Sequence, residues 1–117
     1  MILYFSATGN CKYVAEQIAE ATRDAAVSIE KRKRSIELGK GEILGIVTPT
    51  YSWELPIIVR KFLEKMTIAG CRPSYVFVVA TYGTTPGAAG ADAAHILKKN
   101  GIAVDFVQRN VRRKLLK

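Results

Sequence analysis

Ile2-Leu3-Tyr4-Phe5-Ser6-Ala7-Thr8-Gly9-Asn10-Cys11 is the stretch on which the fold turns. Four apolar residues run straight into small, hydroxylated and flexible ones. Ile2 to Phe5 has the unbroken apolar character of a strand buried on both faces, as parallel sheets require. From Cys11 the pattern becomes helical. Val14, Ala15, Ile18 and Ala19 recur at spacings of three and four, with Lys12, Glu16, Gln17 and Glu20 on the other face. The turn between strand and helix therefore meets a helix N-terminus, where backbone N–H groups lack intrahelical partners and the dipole favours an anion. Ser6 and Thr8 add hydroxyls, Asn10 adds an amide, and Gly9 permits a tight turn. No Lys or Arg lies between Ser6 and Cys11, so a phosphate here would be held by neutral donors. An ordinary helix cap is the plain alternative. The turn contains neither GxGxxG nor GxxxxGK[ST], which excludes a dinucleotide fingerprint and a P-loop.

Further along, Ala26 to Ile29 reads as a short strand, and the charged stretch from there to Glu42 as a loop. Ile43 to Thr48 is a buried strand stopped by Pro49. A helix follows from about Leu55, with Pro56 in its first turn and Val59, Phe62, Leu63 and Met66 facing inward. Tyr75 to Ala80 has the aromatic and β-branched content of a strand. Ala88 to Asn100 is a helix closed by Gly101, and Ile102 to Val107 a last strand. Strands alternating with helices predict a parallel sheet covered on both faces. Ligands bind such sheets where loops leave the carboxyl ends of the strands. Three loops qualify: Ser6–Cys11, Pro49–Glu54 and Thr81–Gly87.

The chain has 117 residues, 49% of them hydrophobic, enough for one compact domain, 1–117, and against disorder. No apolar run reaches the ~18 residues of a membrane span, and no secretory signal precedes the first strand, so a cytoplasmic setting is expected. Cys11 and Cys71 form no CxxC pair, which argues against a zinc site or a dithiol and for two reduced thiols. The formal net charge is +8. Lys31-Arg32-Lys33-Arg34 and the C-terminal Arg109, Arg112, Arg113, Lys114 and Lys117 carry much of it. Such charge favours an anionic partner, or is simply a solvated loop and tail. Among anionic partners, nucleic acid is not the expected one. His95 lies one turn after Asp92 and is read as a surface pair. No Ser-His-Asp arrangement or metal-ligand cluster is evident.

Phe5-Ser6-Ala7-Thr8-Gly9-Asn10-Cys11 resembles the phosphate loop of the flavodoxin superfamily, which wraps the phosphate of FMN. Cys11 stands where the family usually has Thr or Ser, which weakens one hydroxyl contact. A thiol at a helix N-terminus is also a candidate for a lowered pKa, although no Cys-x5-Arg phosphatase spacing follows it. Thr48-Pro49-Thr50-Tyr51-Ser52-Trp53-Glu54 resembles the family's loop against the isoalloxazine ring. The resemblance implies that Pro49, Thr50, Tyr51, Ser52 and Trp53 contact the flavin, with Tyr51 stacking on it and the Ser52-Trp53 backbone near N5. Many relatives have a glycine here; this loop has none. Ala80-Thr81-Tyr82-Gly83 resembles the second flavin loop, with Thr81, Tyr82 and Gly83 along the pyrimidine edge.

The resemblance covers Met1 to about Val107 and is greatest to the flavodoxin domains that precede a ferredoxin-like domain in some fusion proteins. It implies a three-layer α/β sandwich with a five-stranded parallel sheet in the order 2-1-3-4-5. It also implies an FMN-binding electron carrier with a redox partner protein, one with an acidic surface given the basic charge. The family's closing C-terminal helix looks missing or shortened, which leaves one sheet face thinly covered; a homodimer would cover it. Two other functions remain open. One is an FMN-dependent quinone or small-molecule reductase. The other is a flavin-free interaction domain that binds an acidic partner through its basic segments.

Overall fold

Ile2 and Leu3, adjacent in sequence, are both fully buried, because successive side chains of a strand face opposite sides of a sheet that is covered on each. The computed structural model describes residues 1–6, 9–31, 34–51, 54–82 and 87–112. The elements run β1 (Ile2–Tyr4), α1 (Asn10–Thr22), β2 (Ala26–Ser28), a 3-10 turn (Ile29–Lys31), β3 (Ser35–Leu38) and β4 (Ile43–Pro49). They continue with α2 (Ile57–Lys65), β5 (Thr67–Gly70), β6 (Tyr75–Tyr82), α3 (Ala89–Lys99) and β7 (Phe106–Arg112). Five strands form one parallel sheet in the order β2-β1-β4-β6-β7. Among the described residues, no helix is long and apolar enough to cross a membrane.

The two faces of that sheet carry separate cores. Leu3, Leu44, Ile46, Val76 and Val78 pack under α2 and α3 against Val59, Phe62, Leu63, Ile96 and Leu97. Ile2, Val47, Phe77 and Val79 pack under α1 against Cys11, Val14, Ala15 and Ala19. The result is the expected three-layer α/β architecture. On its own side α1 spans β1, β2 and β4. Phe106 lies opposite Phe77 in register, and Tyr75 is two residues before Phe77, so both belong to that same side. They are 49% and 44% exposed, because no described helix covers β6 and β7 there.

The strand order departs in detail from the expected 2-1-3-4-5. Two strands that the sequence reading did not foresee interrupt the count. Ser35–Leu38 falls in the stretch taken for a loop, and it pairs in parallel with Thr67–Gly70 as a separate two-stranded ribbon. Ile36 and Leu38 are its buried positions, so four alternating residues suffice to anchor it to the α2–α3 core. Gly70 closes the ribbon with φ +86, and a Cβ there would lie 2.4 Å from the Leu38 carbonyl oxygen.

The last strand also sits further along than expected. Ile102 belongs to the end of α3 instead. Its N–H bonds the Leu97 carbonyl at 2.8 Å while Gly101 N–H bonds Lys98, a Schellman closure in which Ile102 joins Leu97 in the core. Asp105 then exchanges two bonds with Val76, donating its N–H to the carbonyl at 2.7 Å and accepting from the N–H through its carboxylate at 2.8 Å. Pairing begins only at Phe106. The strand runs to Arg112, and no helix follows α3 among the described residues. Lys114 and Lys117 lie outside them.

Candidate functional site

β1 has β2 on one side and β4 on the other, so the chain reverses its direction of travel across the sheet between β1 and β4. At such a switch point the loops leaving two neighbouring strands part to opposite faces and open a crevice at the carboxyl ends. The first and second loops leave those two strands. Phe5 N–H bonds the Val47 carbonyl at 3.2 Å, and Pro49 lies in register with Thr81, so the starts of all three loops stand side by side. The described ones among the predicted residues are thus brought to one end of the sheet. Ala7, Thr8, Ser52, Trp53 and Gly83 lie outside the described residues.

In the first loop Gly9 is the N-cap of α1, with φ 88, and no side chain caps the helix start. Left-handed backbone costs a residue with a Cβ ~1–2 kcal/mol, so glycine is the natural occupant. The first intrahelical bond runs from Tyr13 N–H to the Gly9 carbonyl at 3.0 Å, which leaves the preceding amides of the first turn outside the helical ladder. The space a Cβ would fill at Gly9 is open, with nothing within 4 Å. Ser6 Oγ is buried and has no hydrogen-bond partner among the described residues. A buried hydroxyl left unpaired costs ~1–3 kcal/mol, so a partner supplied from outside would be welcome there.

Cys11 is turned to a different use from the one expected at its position. Its Sγ lies 3.3 Å from Thr81 Oγ1. The two residues are 2% and 3% exposed. Burial pushes the thiol up to about 11, and the Thr81 hydrogen bond offsets only part of that shift. The shift thus runs opposite to the lowering considered for a helix N-terminus, because desolvation of a thiolate is its largest cause. A raised folded-state pKa stabilises the fold fully below the ordinary value of 9.0, and that contribution is lost as pH rises through about 11. The stability difference between the parent and Cys11→Ala should accordingly narrow between those two values in urea titrations. A constant difference across the range would contradict the assignment.

The second loop is a tight reversal. Tyr51 and Glu54 exchange backbone hydrogen bonds of 2.9 and 2.8 Å across the two residues between them. Tyr51 is exposed, with its ring meeting Phe5 edge to face at a centroid distance of 6.3 Å. Partial burial, then the Cys11 and Glu30 groups nearby, raise its hydroxyl pKa. Thr50 is half-buried. In the third loop Thr81 is buried, and the backbone of Tyr82 pairs in register with Arg112. Phe5, Glu30 and Arg112 were missed as neighbours of the site. The only available signal was position, since each lies at or just beyond the carboxyl end of a strand.

Elsewhere the expected His95–Asp92 pair is replaced. Asp92 meets Arg60 of α2 at 3.6 Å, and His95 is exposed beside a hollow of about 210 Å³. A cavity of about 460 Å³ lies at the amino-terminal end of the sheet, lined by Met66, Ile68, Arg72, Val76, Ile102 and Asp105. It is remote from the three loops. Among the described residues no cluster of three His, Cys, Asp or Glu could hold a metal ion.

Residues 1–115 match the flavodoxin domain family. The chain belongs to that family. No curated protein matches it in sequence. Three solved structures share the fold of this flavodoxin domain at low identity. A putative flavoprotein from Bacteroides uniformis aligns with a TM-score of 0.68 and 20% identity, covering 100% of this chain and 94% of the other. A flavodoxin from the domain Archaea aligns at 0.61 and 17%, over 92% and 80%. The flavodiiron core of a Synechocystis protein aligns at 0.69 and 18%, where the match covers 99% of this chain and 32% of that one. The flavodoxin domain described here thus spans about a third of the length of that protein.

Proposed function

We propose that this flavodoxin domain, residues 1–117, binds FMN at the carboxyl end of its sheet and transfers electrons to and from an acidic redox partner. One observation carries the reading. The N-terminus of α1 has no capping side chain, and Ser6, three residues before its N-cap Gly9, has a buried hydroxyl with no partner among the described residues. A phosphomonoester meets both needs at once, through charge-assisted hydrogen bonds worth ~1.5–3 kcal/mol each. The group would be held by Ser6, Gly9 and Asn10 together with Ala7 and Thr8, and the backbone amide of Cys11. Pro49, Thr50, Tyr51, Ser52 and Trp53 would flank the ring on one side, and Thr81, Tyr82 and Gly83 on the other. The flavin supplies the redox chemistry when bound; the protein supplies position and electrostatics. Tyr51, braced edge-on by Phe5, would give a flat apolar surface that excludes water. The net charge of +8 favours a partner of opposite charge.

Titration of the purified protein with FMN and with riboflavin tests this. FMN should saturate one site with quenched fluorescence, and riboflavin, which lacks the phosphate, should bind at least about tenfold more weakly, since tenfold corresponds to ~1.4 kcal/mol. Equal affinity for the two would remove the phosphate from the reading, and no retention of FMN would overturn it.

A further inference from the structure

Cys11 and Thr81 are 70 residues apart in sequence, the first on α1, which packs over β1, β2 and β4, and the second on β6, the strand beyond β4. Cys11 is in the first turn of α1, next to the uncapped amides, and Thr81 is at the end of β6, where the third loop begins. The β6–β7 pairing shifts register between Val79 and Thr81. The extra residue lies in β7, between Gln108 and Val111, and on β6 the alternation continues, so Thr81 faces the same side as Val79, toward α1. Thr81 is one of two buried polar residues among the described ones; the other, Thr48, satisfies its hydroxyl locally on the Pro49 carbonyl at 3.0 Å. Thr81 has no such local bond among the described residues, and its hydroxyl meets the Cys11 sulfur instead.

We infer that the buried Cys11–Thr81 pair is a positioning element that fastens the third loop to the first, so that the two ends of the cofactor site hold a fixed spacing. Its relevance to FMN rests on the function proposed above. The pair itself does not. Neither residue is catalytic, and the Cys11 sulfur is engaged with the Thr81 hydroxyl, either atom being the donor. The Cys at this position of the motif is then not a weakened Thr but a side chain that ties α1 to the end of β6.

A double-mutant cycle in full-length protein decides the matter. Cys11→Ala and Thr81→Val should each raise the FMN dissociation constant about fivefold, the worth of one net hydrogen bond. The double variant should do no worse than either single one, because both remove the same bond. Cys11→Thr, which keeps a hydroxyl for Thr81, should restore tight binding. Multiplied effects of about 25-fold, or no effect in either single variant, would overturn the inference. Two readouts need no flavin. In a Cys71→Ser background, Thr81→Val should move the Cys11 S–H stretching band toward that of a free thiol. It should also speed amide exchange at Thr81 and Tyr82. An unchanged band and unchanged exchange would refute the pair as a fastener. Should the parent fail to bind FMN, the proposed function falls, while the band and the exchange still decide this point.

Discussion

Replacing Gly9 with valine is expected to weaken FMN binding by about 100-fold or more, a loss of ~2.7 kcal/mol at ~1.4 kcal/mol per tenfold. Two effects add. A β-branched residue does not tolerate the φ of 88 that Gly9 adopts, so the turn rotates its amides away from the crevice. Valine also fills the open space over Gly9, where the phosphate is proposed to rest. Losing one or two charge-assisted hydrogen bonds, at ~1.5–3 kcal/mol each, accounts for the expected figure. Folding should suffer less, by ~1–2 kcal/mol, since no neighbour lies within 4 Å to clash. The checks are FMN titration and urea denaturation on the same variant. A Gly9→Val protein that binds FMN within about threefold of the parent, ~0.7 kcal/mol, would show that the phosphate rests elsewhere.

Gly70→Ala should produce the opposite pattern, a large loss of stability with the FMN affinity of the folded fraction unchanged. The left-handed backbone at Gly70 costs alanine ~1–2 kcal/mol. Its Cβ would stand 2.4 Å from the Leu38 carbonyl oxygen, a backbone atom in the partner strand that cannot swing aside. Overpacking of this kind adds ~1–3 kcal/mol. A total near 3 kcal/mol is a large fraction of the ~5–15 kcal/mol that holds a domain folded. The affinity is spared because Gly70 lines the cavity at the amino-terminal end of the sheet, away from the three loops. A midpoint shift equivalent to less than ~1 kcal/mol would mean that the ribbon opens freely and contributes little.

Where sequence and structure agree, one physical signal acted alone. Ile2 to Phe5 is apolar without interruption and Ser6 to Asn10 is not, so a buried strand and the point where it ends were legible together. Where they differ, two signals competed. Ser35-Ile36-Glu37-Leu38 alternates over only four residues amid charged neighbours, and its partner Thr67–Gly70 lies about thirty residues on. No local pattern announces such a pairing. Ile102 is as apolar as any strand residue, but it closes a helix. Cys11 occupies a helix N-terminus, which lowers a thiol pKa, and a buried site, which raises it; only the structure showed that burial prevails. Asp92 had His95 one turn away on its own helix and Arg60 on the next, and a sequence displays only the first.

β7 is the outermost strand on its side of the sheet. An outer strand offers a row of unpaired main-chain groups to any other strand that comes near, and proteins commonly guard it with charge. Here that strand carries Arg109 and Arg112, two of the five basic residues of the C-terminal cluster. Two copies approaching rim to rim would bring like-charged strands together. Charge in an outer strand therefore disfavours pairing of the domain with copies of itself along the sheet.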